Sequence, residues 1–238
     1  MDITQDIQKK ILIKLTHNPF MKYNELWGKE CESNKFNYHI QKLVDSELII
    51  KEKEDYCLTN KGKTIVTHLD GVTGDRKQKP VVCSFILGYM PDKKKILVNL
   101  RKKEPFYGYV GIPGGKIDFG ISPKKTAEEE FLEETGLVGD MKLKVVSNYN
   151  TYNDGELMHH LIAFTYVCEN PSGSLIKENR EGKNMWIDIK ELENHSRYPD
   201  IDELIDKSLS VDAEVKFLNL NRWQKNGLFV DMKVLKEF

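Results

Sequence analysis

At 238 residues and a formal net charge of -1, the chain has room for two small domains or one large one. Its 39% apolar residues can supply a core. No apolar run approaches the roughly eighteen residues that a helical membrane crossing needs, so no membrane partner is expected. The four cysteines, Cys31, Cys57, Cys83 and Cys168, are scattered without a CxxC spacing, which excludes a zinc knuckle and a disulfide framework. The opening MDITQDIQKKILIKL has acidic residues before its basic pair and no small-residue cleavage site. It reads as a helix rather than a signal peptide, and a cytoplasmic protein with reduced thiols is the expectation.

In chain order, Ile3, Ile7, Ile11 and Leu15 recur every four residues and predict an amphipathic helix over 3–16, stopped by Asn18-Pro19. A short helix is predicted near Tyr23 to Gly28. A third runs from Ser33 or Asn34 to about Leu48, with Phe36, Ile40, Leu43 and Val44 as its apolar stripe. A hairpin follows, with arms Leu48-Ile49-Ile50 and Tyr56-Cys57-Leu58 around a turn at Glu52 to Asp55. Thr59 can then cap a closing helix through Ile65, Val66 and Leu69. The polar stretch 71–79 reads as a linker between a domain at 1–70 and another at 80–238.

Beyond the linker, Val81 to Tyr89 and Lys95 to Leu100 predict a strand pair around Met90-Pro91-Asp92. Tyr107 to Ile112 leads into Pro113-Gly114-Gly115. Ser122 as N-cap, Pro123 at the first helical position and Gly136 as terminator predict a helix over 122–135. Strands are predicted at 141–149, 157–168 and 184–189, with Trp186 central in the last. A helix near 200–208 and two strands around Lys225-Asn226-Gly227 complete the chain.

The chemistry concentrates between Gly114 and Leu137. Glu133 and Glu134 follow Glu130 by three and four residues, so the three carboxylates share one helical face. Their mutual repulsion destabilises a bare helix by a few tenths of a kcal/mol per pair, and a hard divalent cation reverses that sign. A solvated acidic face is the competing reading. The glycine loop, whose backbone can approach a metal or a phosphate, argues against it.

Gly115, Glu130, Phe131, Glu133, Glu134, Gly136 and Leu137 together resemble the Nudix box, with Pro113-Gly114 fitting just before it. The resemblance implies an α/β/α sandwich with a mixed sheet. It also implies Mg²⁺- or Mn²⁺-dependent hydrolysis of a nucleoside diphosphate linked to another moiety, such as ADP-ribose or a nucleotide-sugar. By position, Glu130, Glu133 and Glu134 become metal ligands with the Gly115 backbone nearby, and Glu133 and Glu134 join the catalytic set. A further catalytic carboxylate is expected from the loop before Trp186, at Glu178 or Glu181, with Glu181 preferred. Two positions depart from the box. Ile121 stands where it has its first glutamate, and Glu129 where it has an arginine that orients the helix carboxylates. The departures leave open a second reading, a domain that senses such a metabolite without turning it over, and Lys116 or Lys125 could compensate.

For substrate phosphate, Arg101, Lys102 and Lys116 are candidates, although a strand-end cation is often merely solvated. Phe106, Tyr107 and Tyr109 could stack on a base or face the core, and Tyr107 joins the substrate-binding set. His159 and His160 should point to opposite faces of one strand.

The N-terminal element order, with the run Phe36 to Leu43, then Leu48-Ile49 and Leu58 to Gly62, resembles the third helix and wing of winged helix-turn-helix regulators. The expected class is therefore α+β, with an N-terminal winged helix-turn-helix before the Nudix sandwich. That resemblance implies double-stranded DNA as a partner, met by Asn34, Lys35, Asn37, Tyr38, Gln41 and Lys42. Residues 1–75 nevertheless carry eleven lysines and no arginine against twelve acids, a sum of -1, and phosphate neutralisation normally drives such binding. Dimerisation or packing is the rival role, and a homodimer fits either.

Overall fold

The computed structural model describes residues 6–69, 79–103, 106–210 and 214–235. The chain divides into two compact units, Met1–Gln78 and Lys79–Phe238. Most of the expected linker lies outside the described residues.

In the first unit, α1 spans Asp6–His17 and buries Ile11, Leu12 and Leu15. After β1 (Met21–Lys22) comes α2 (Tyr23–Trp27), ended by Gly28 in a left-handed conformation. Helix α3 (Ser33–Asp45) buries Phe36, His39, Ile40 and Leu43 as one stripe. Strands β2 (Ile49–Glu52) and β3 (Asp55–Leu58) make the hairpin, and α4 (Asn60–Val66) closes the unit. The Thr59 hydroxyl caps α4 by accepting the Gly62 N–H at 3.0 Å. A Cβ at Gly62 would stand 2.0 Å from the Leu48 carbonyl oxygen, so only glycine lets the helix lie this close to the strand.

Two details differ from expectation. The hairpin is longer, because backbone pairing continues to Glu52 and Asp55 regardless of the charged side chains there. Strand β1 adds a third member in the order β1-β3-β2. Two residues are too short to show a periodicity.

The second unit begins with β4 (Val81–Tyr89) and β5 (Lys95–Arg101), then β6 (Val110–Gly111) and β7 (Gly114–Lys116). Helix α5 (Pro123–Thr135) is followed by β8 (Leu137–Val138), β9 (Met141–Asn153), β10 (Glu156–Glu169) and β11 (Ser172–Gly173). Strand β12 (Gly182–Asp188), a 3₁₀ turn at Ile189–Asn194, α6 (Ile201–Leu209), β13 (Lys216–Lys225) and β14 (Leu228–Leu235) complete it. The main sheet runs β12-β5-β4-β10-β9-β13-β14. It is mixed, since β4 lies parallel to β10 and β13 parallel to β9.

Alternation along the strands sends successive side chains to opposite faces of this sheet. Ile86 and Leu97 meet Ala127 and Phe131 of α5 on one face. Leu87, Tyr89 and Val98 meet Ile201, Leu204 and Ile205 of α6 on the other. Helices thus cover both faces, an α/β/α sandwich. Phe131 is fully buried, which contributes about 2 kcal/mol or more.

The expected β4–β5 strand pair forms, but over a short stretch. The two strands pair only at Tyr89 and Ile96, beside their turn, and then splay. Into the gap go β6, which pairs Gly111 with Asn99, and β7, which pairs Gly115 with Ser84. The splay opens a cleft and carries the glycine loop to its edge. Strands β9 and β10 also run farther than predicted, to a turn where Asp154 and Gly155 both take positive φ, 50° and 89°.

Candidate active site

The acidic helix is built by local signals. The Ser122 hydroxyl accepts the Lys125 N–H at 3.3 Å, and Pro123 needs no donor partner in the first turn. Gly136, at φ 72°, ends the helix by donating to the Leu132 carbonyl. Burial of Thr126, Ala127, Phe131 and Thr135 turns the neighbouring stripe, Glu130 and Glu134, toward the cleft. The cleft holds about 1100 Å³ and is bordered by Gly115, Glu130, Glu133, Glu134, Asp118 and Glu181 on its acidic side.

The glycine loop is fitted to these carboxylates. A Cβ at Gly115 would stand 1.9 Å from Glu130 Oε1, so any side chain there would displace the carboxylate. The Gly114 N–H donates to Glu134 Oε2 at 3.1 Å. Burial pushes the Glu134 carboxyl up to about 7, opposed by the Gly114 bond and reinforced by Glu130. Glu130 is also raised, first by burial and then by the charges of Glu133 and Asp118.

Three amides secure the end of the helix. Asn184 donates to the Glu134 carbonyl at 2.7 Å and to the Ile176 carbonyl at 2.8 Å, while its own oxygen accepts from Asn99 at 2.8 Å. Asn179 donates to the same Glu134 carbonyl at 2.9 Å. The Asn179 side-chain oxygen accepts the Glu181 and Gly182 N–H groups at 2.9 and 3.1 Å, which sets the loop that presents Glu181. Glu181 is ion-paired to Lys103, and to Arg180 at 3.5 Å.

Of the residues singled out in the sequence, Gly115, Glu130, Glu133, Glu134, Glu181, Arg101 and Lys116 share this cleft. Two do not. Lys102 pairs with Glu178 on the exposed surface, because it follows Arg101 at the end of β5 and faces the other way. That pairing also removes Glu178 from the cleft. Tyr107 is 63% exposed in the turn after β5, and Phe106 turns inward in its place. His159 lies in the cleft, with burial holding its imidazole below the usual range. His160 faces away and bonds Asn148 at 2.8 Å.

Neither departure from the box borders the cleft, although the Glu129 charge still raises the pKa of Glu130. Glu129 pairs with Lys125 at 3.3 Å on the outer side of the helix, and Ile121 is exposed. Sequence reading missed Lys103, which faces Glu130 and Glu134 and whose charge partly opposes the rise that burial imposes on each. It also missed Asn99, Asn179 and Asn184, for which no local pattern signals a helix-end clamp.

Among the described residues, no three or more His, Cys, Asp and Glu side chains are already gathered in metal-binding geometry. The donor set nonetheless fits a hard divalent ion. Carboxylate oxygens crowd a glycine cradle, and two of the carboxylates resist ionisation where no cation balances them.

A mixed-sheet sandwich whose splayed strands set an acidic helix against Arg101, Lys103 and Lys116 is suited to enzymes acting on phosphate linkages. The model of the NUDIX domain matches residues 80–207, more than half of the chain, and the chain belongs to that family, as a Nudix-type hydrolase. Membership implies dependence on a divalent metal.

An uncharacterized Nudix hydrolase, YvcI of Bacillus subtilis, is 28% identical over 108 residues, spanning 45% of this chain and 68% of that protein. The ADP-ribose pyrophosphatase of Methanocaldococcus jannaschii is 29% identical over 140 residues, spanning 59% of this chain and 73% of that protein. A crystal structure of a MutT protein from Bacillus halodurans superimposes with a TM-score of 0.53 at 19% identity, covering 66% of this chain and 99% of that one, a likeness of fold.

Proposed function

We propose that the second unit hydrolyses a nucleoside diphosphate linked to another moiety, of the ADP-ribose or nucleotide-sugar kind, with Mg²⁺ or Mn²⁺. The observation that carries this reading is the glycine-cradled carboxylate face set against a cationic cleft wall. The archaeal relative named for ADP-ribose points to the same substrate class.

Glu130, Glu133 and Glu134, with the Gly115 backbone, would hold the metal. Bound there, it would neutralise phosphate charge and lower the pKa of a water. Arg101, Lys103 and Lys116 orient the diphosphate, and Glu181 accepts the proton of the attacking water at a carboxylate oxygen. The water oxygen joins one phosphorus as the bond from that phosphorus to the bridging oxygen breaks. Hydrolysis of a panel of such diphosphates with Mg²⁺ or Mn²⁺, abolished in a Glu133→Gln, Glu134→Gln double variant, is the expected result. No turnover of any panel member would refute the reading.

For the first unit we propose a winged-helix module that contacts double-stranded DNA through α3. The element order and the three-stranded sheet support it, as does the exposure of Lys35, Asn37, Tyr38, Gln41 and Lys42 opposite the buried stripe of α3. Fluorescence anisotropy with random duplex DNA tests it. A Lys35→Ala, Lys42→Ala variant should flatten the salt dependence by about two units of slope. An unchanged slope, or no binding at low salt, leaves dimerisation or packing as the role of this unit.

A further inference from the structure

The family match ends at residue 207, but the cleft is completed by a later strand. Arg222 of β13 reaches into it and is only 5% exposed. Its guanidinium donates to Asp200 at 2.9 Å, and twice to the Thr151 hydroxyl at 3.1 and 3.0 Å. It also lies over the rings of Tyr149, at 4.7 Å, and Tyr198, at 5.7 Å.

The Asp200 carboxylate balances the Arg222 charge within a direct hydrogen bond. This stretch of the wall is therefore polar and close to electrically neutral. It is poorly suited to a phosphate, for which the same cleft provides Arg101, Lys103 and Lys116.

The rings beside it suit a flat, uncharged group. Phe106 and Tyr198 both border the cleft, with centroids 5.3 Å apart and planes at 67°. Phe229 of β14 backs Phe106 in a near-parallel stack at 5.4 Å and 14°. The Phe229 N–H donates to the Tyr109 hydroxyl at 3.2 Å, tying the terminal hairpin to the turn that carries Phe106.

Phe106 itself stands at φ 72°, a left-handed backbone that a bulky aromatic side chain rarely adopts. Such a conformation persists only where surrounding contacts over-determine it, and it gathers at ligand sites. Behind the rings lies an unused polar atom. The buried Tyr149 hydroxyl, near Asp200 and Ser147, makes no hydrogen bond of normal geometry to either. Arg222 commits only three of its five N–H donors.

We propose that this stretch, formed by Phe106, Tyr198, Tyr149 and the Asp200–Arg222 pair, binds the nucleobase of the substrate. The base stacks on Phe106 and meets Tyr198 edge-on, as the 67° between the two rings requires, and its polar edge faces Arg222. The assignment rests on the diphosphate reading of the neighbouring carboxylates, and it gives the terminal hairpin a part in specificity.

Calorimetry on the full chain with Mg²⁺ tests it, comparing AMP, GMP and UMP with ribose 5-phosphate, which keeps the phosphate but lacks a base. At least one nucleotide should bind tenfold or more tightly than ribose 5-phosphate, as expected for a base–aromatic stack. Phe106→Gly, which relieves the left-handed backbone, and Phe106→Leu, which keeps an apolar side chain, should both erase that preference. Equal binding of all four compounds, or a preference undiminished in both folded variants, overturns the proposal. Diphosphate hydrolysis in the same preparation separates the two levels. Turnover without base preference refutes only this subsite, whereas no turnover refutes the reading on which it rests.

Discussion

The buried Glu134 carboxyl makes the metal-free protein sensitive to pH in an unusual direction. Folding moves this group from the ordinary carboxylate range to about 7, chiefly by burial. The folded state thus binds the proton more tightly than the unfolded chain does. The stability associated with that proton is whole below about pH 4.5 and is lost as pH climbs through 7. A shift of roughly two and a half pH units at about 1.4 kcal/mol each amounts to about 3–4 kcal/mol. For a unit of this size that corresponds to about 6–16 °C in melting temperature. In EDTA, the transition of the second unit should therefore fall more steeply between pH 5 and pH 8 in the native chain than in Glu134→Gln, which cannot titrate there. Mg²⁺ at pH 8 should restore much of the loss, because a cation offsets the same buried charge. Near pH 6, Mg²⁺ binding should also release part of a proton. If native and Glu134→Gln transitions in EDTA shift in parallel across this range, the carboxyl is not held protonated by its surroundings and the argument fails.

Gly115→Ala should lower metal-dependent hydrolysis about ten- to a hundredfold, since its Cβ would meet Glu130 Oε1 at 1.9 Å. Steady-state kinetics over a Mg²⁺ titration reads this, and wild-type rates would refute the cradle. Asn184→Ala removes the hydrogen bonds to the Glu134 and Ile176 carbonyls and leaves the Asn99 amide without its partner. Urea denaturation should show a loss of about 2–3 kcal/mol. Arg222→Met strands the buried Asp200 carboxylate and should cost about 3–5 kcal/mol at neutral pH. Arg222→Met with Asp200→Asn should recover part of that, which a double-mutant cycle measures.

The elements with local signatures are legible in the sequence alone. The Ser122-Pro123 start and Gly136 stop of α5 are short-range chemistry, and so is the spacing that puts Glu130, Glu133 and Glu134 on one face. The Asn226-Gly227 turn is a further case, with both residues at positive φ. Thr59 announces its helix by the same logic. Each depends on neighbours within one or two turns of chain.

What decided the rest was pairing between distant segments. The splay of β4 from β5, filled by β6 and β7, determines where the cleft opens. Whether Arg101 or Lys102 enters it depends on the pleat at the end of β5. Lys103 gained its place opposite the carboxylates only through that geometry. Asp200 and Arg222 come together because β13 lies parallel to β9, which seats Arg222 beside Thr151. By itself the sequence determined that three carboxylates share one helical face behind a glycine loop, because capping and helical spacing act locally. Only the tertiary structure decided which side chains share the cavity with them, because strand register depends on burying the two faces of one sheet at once.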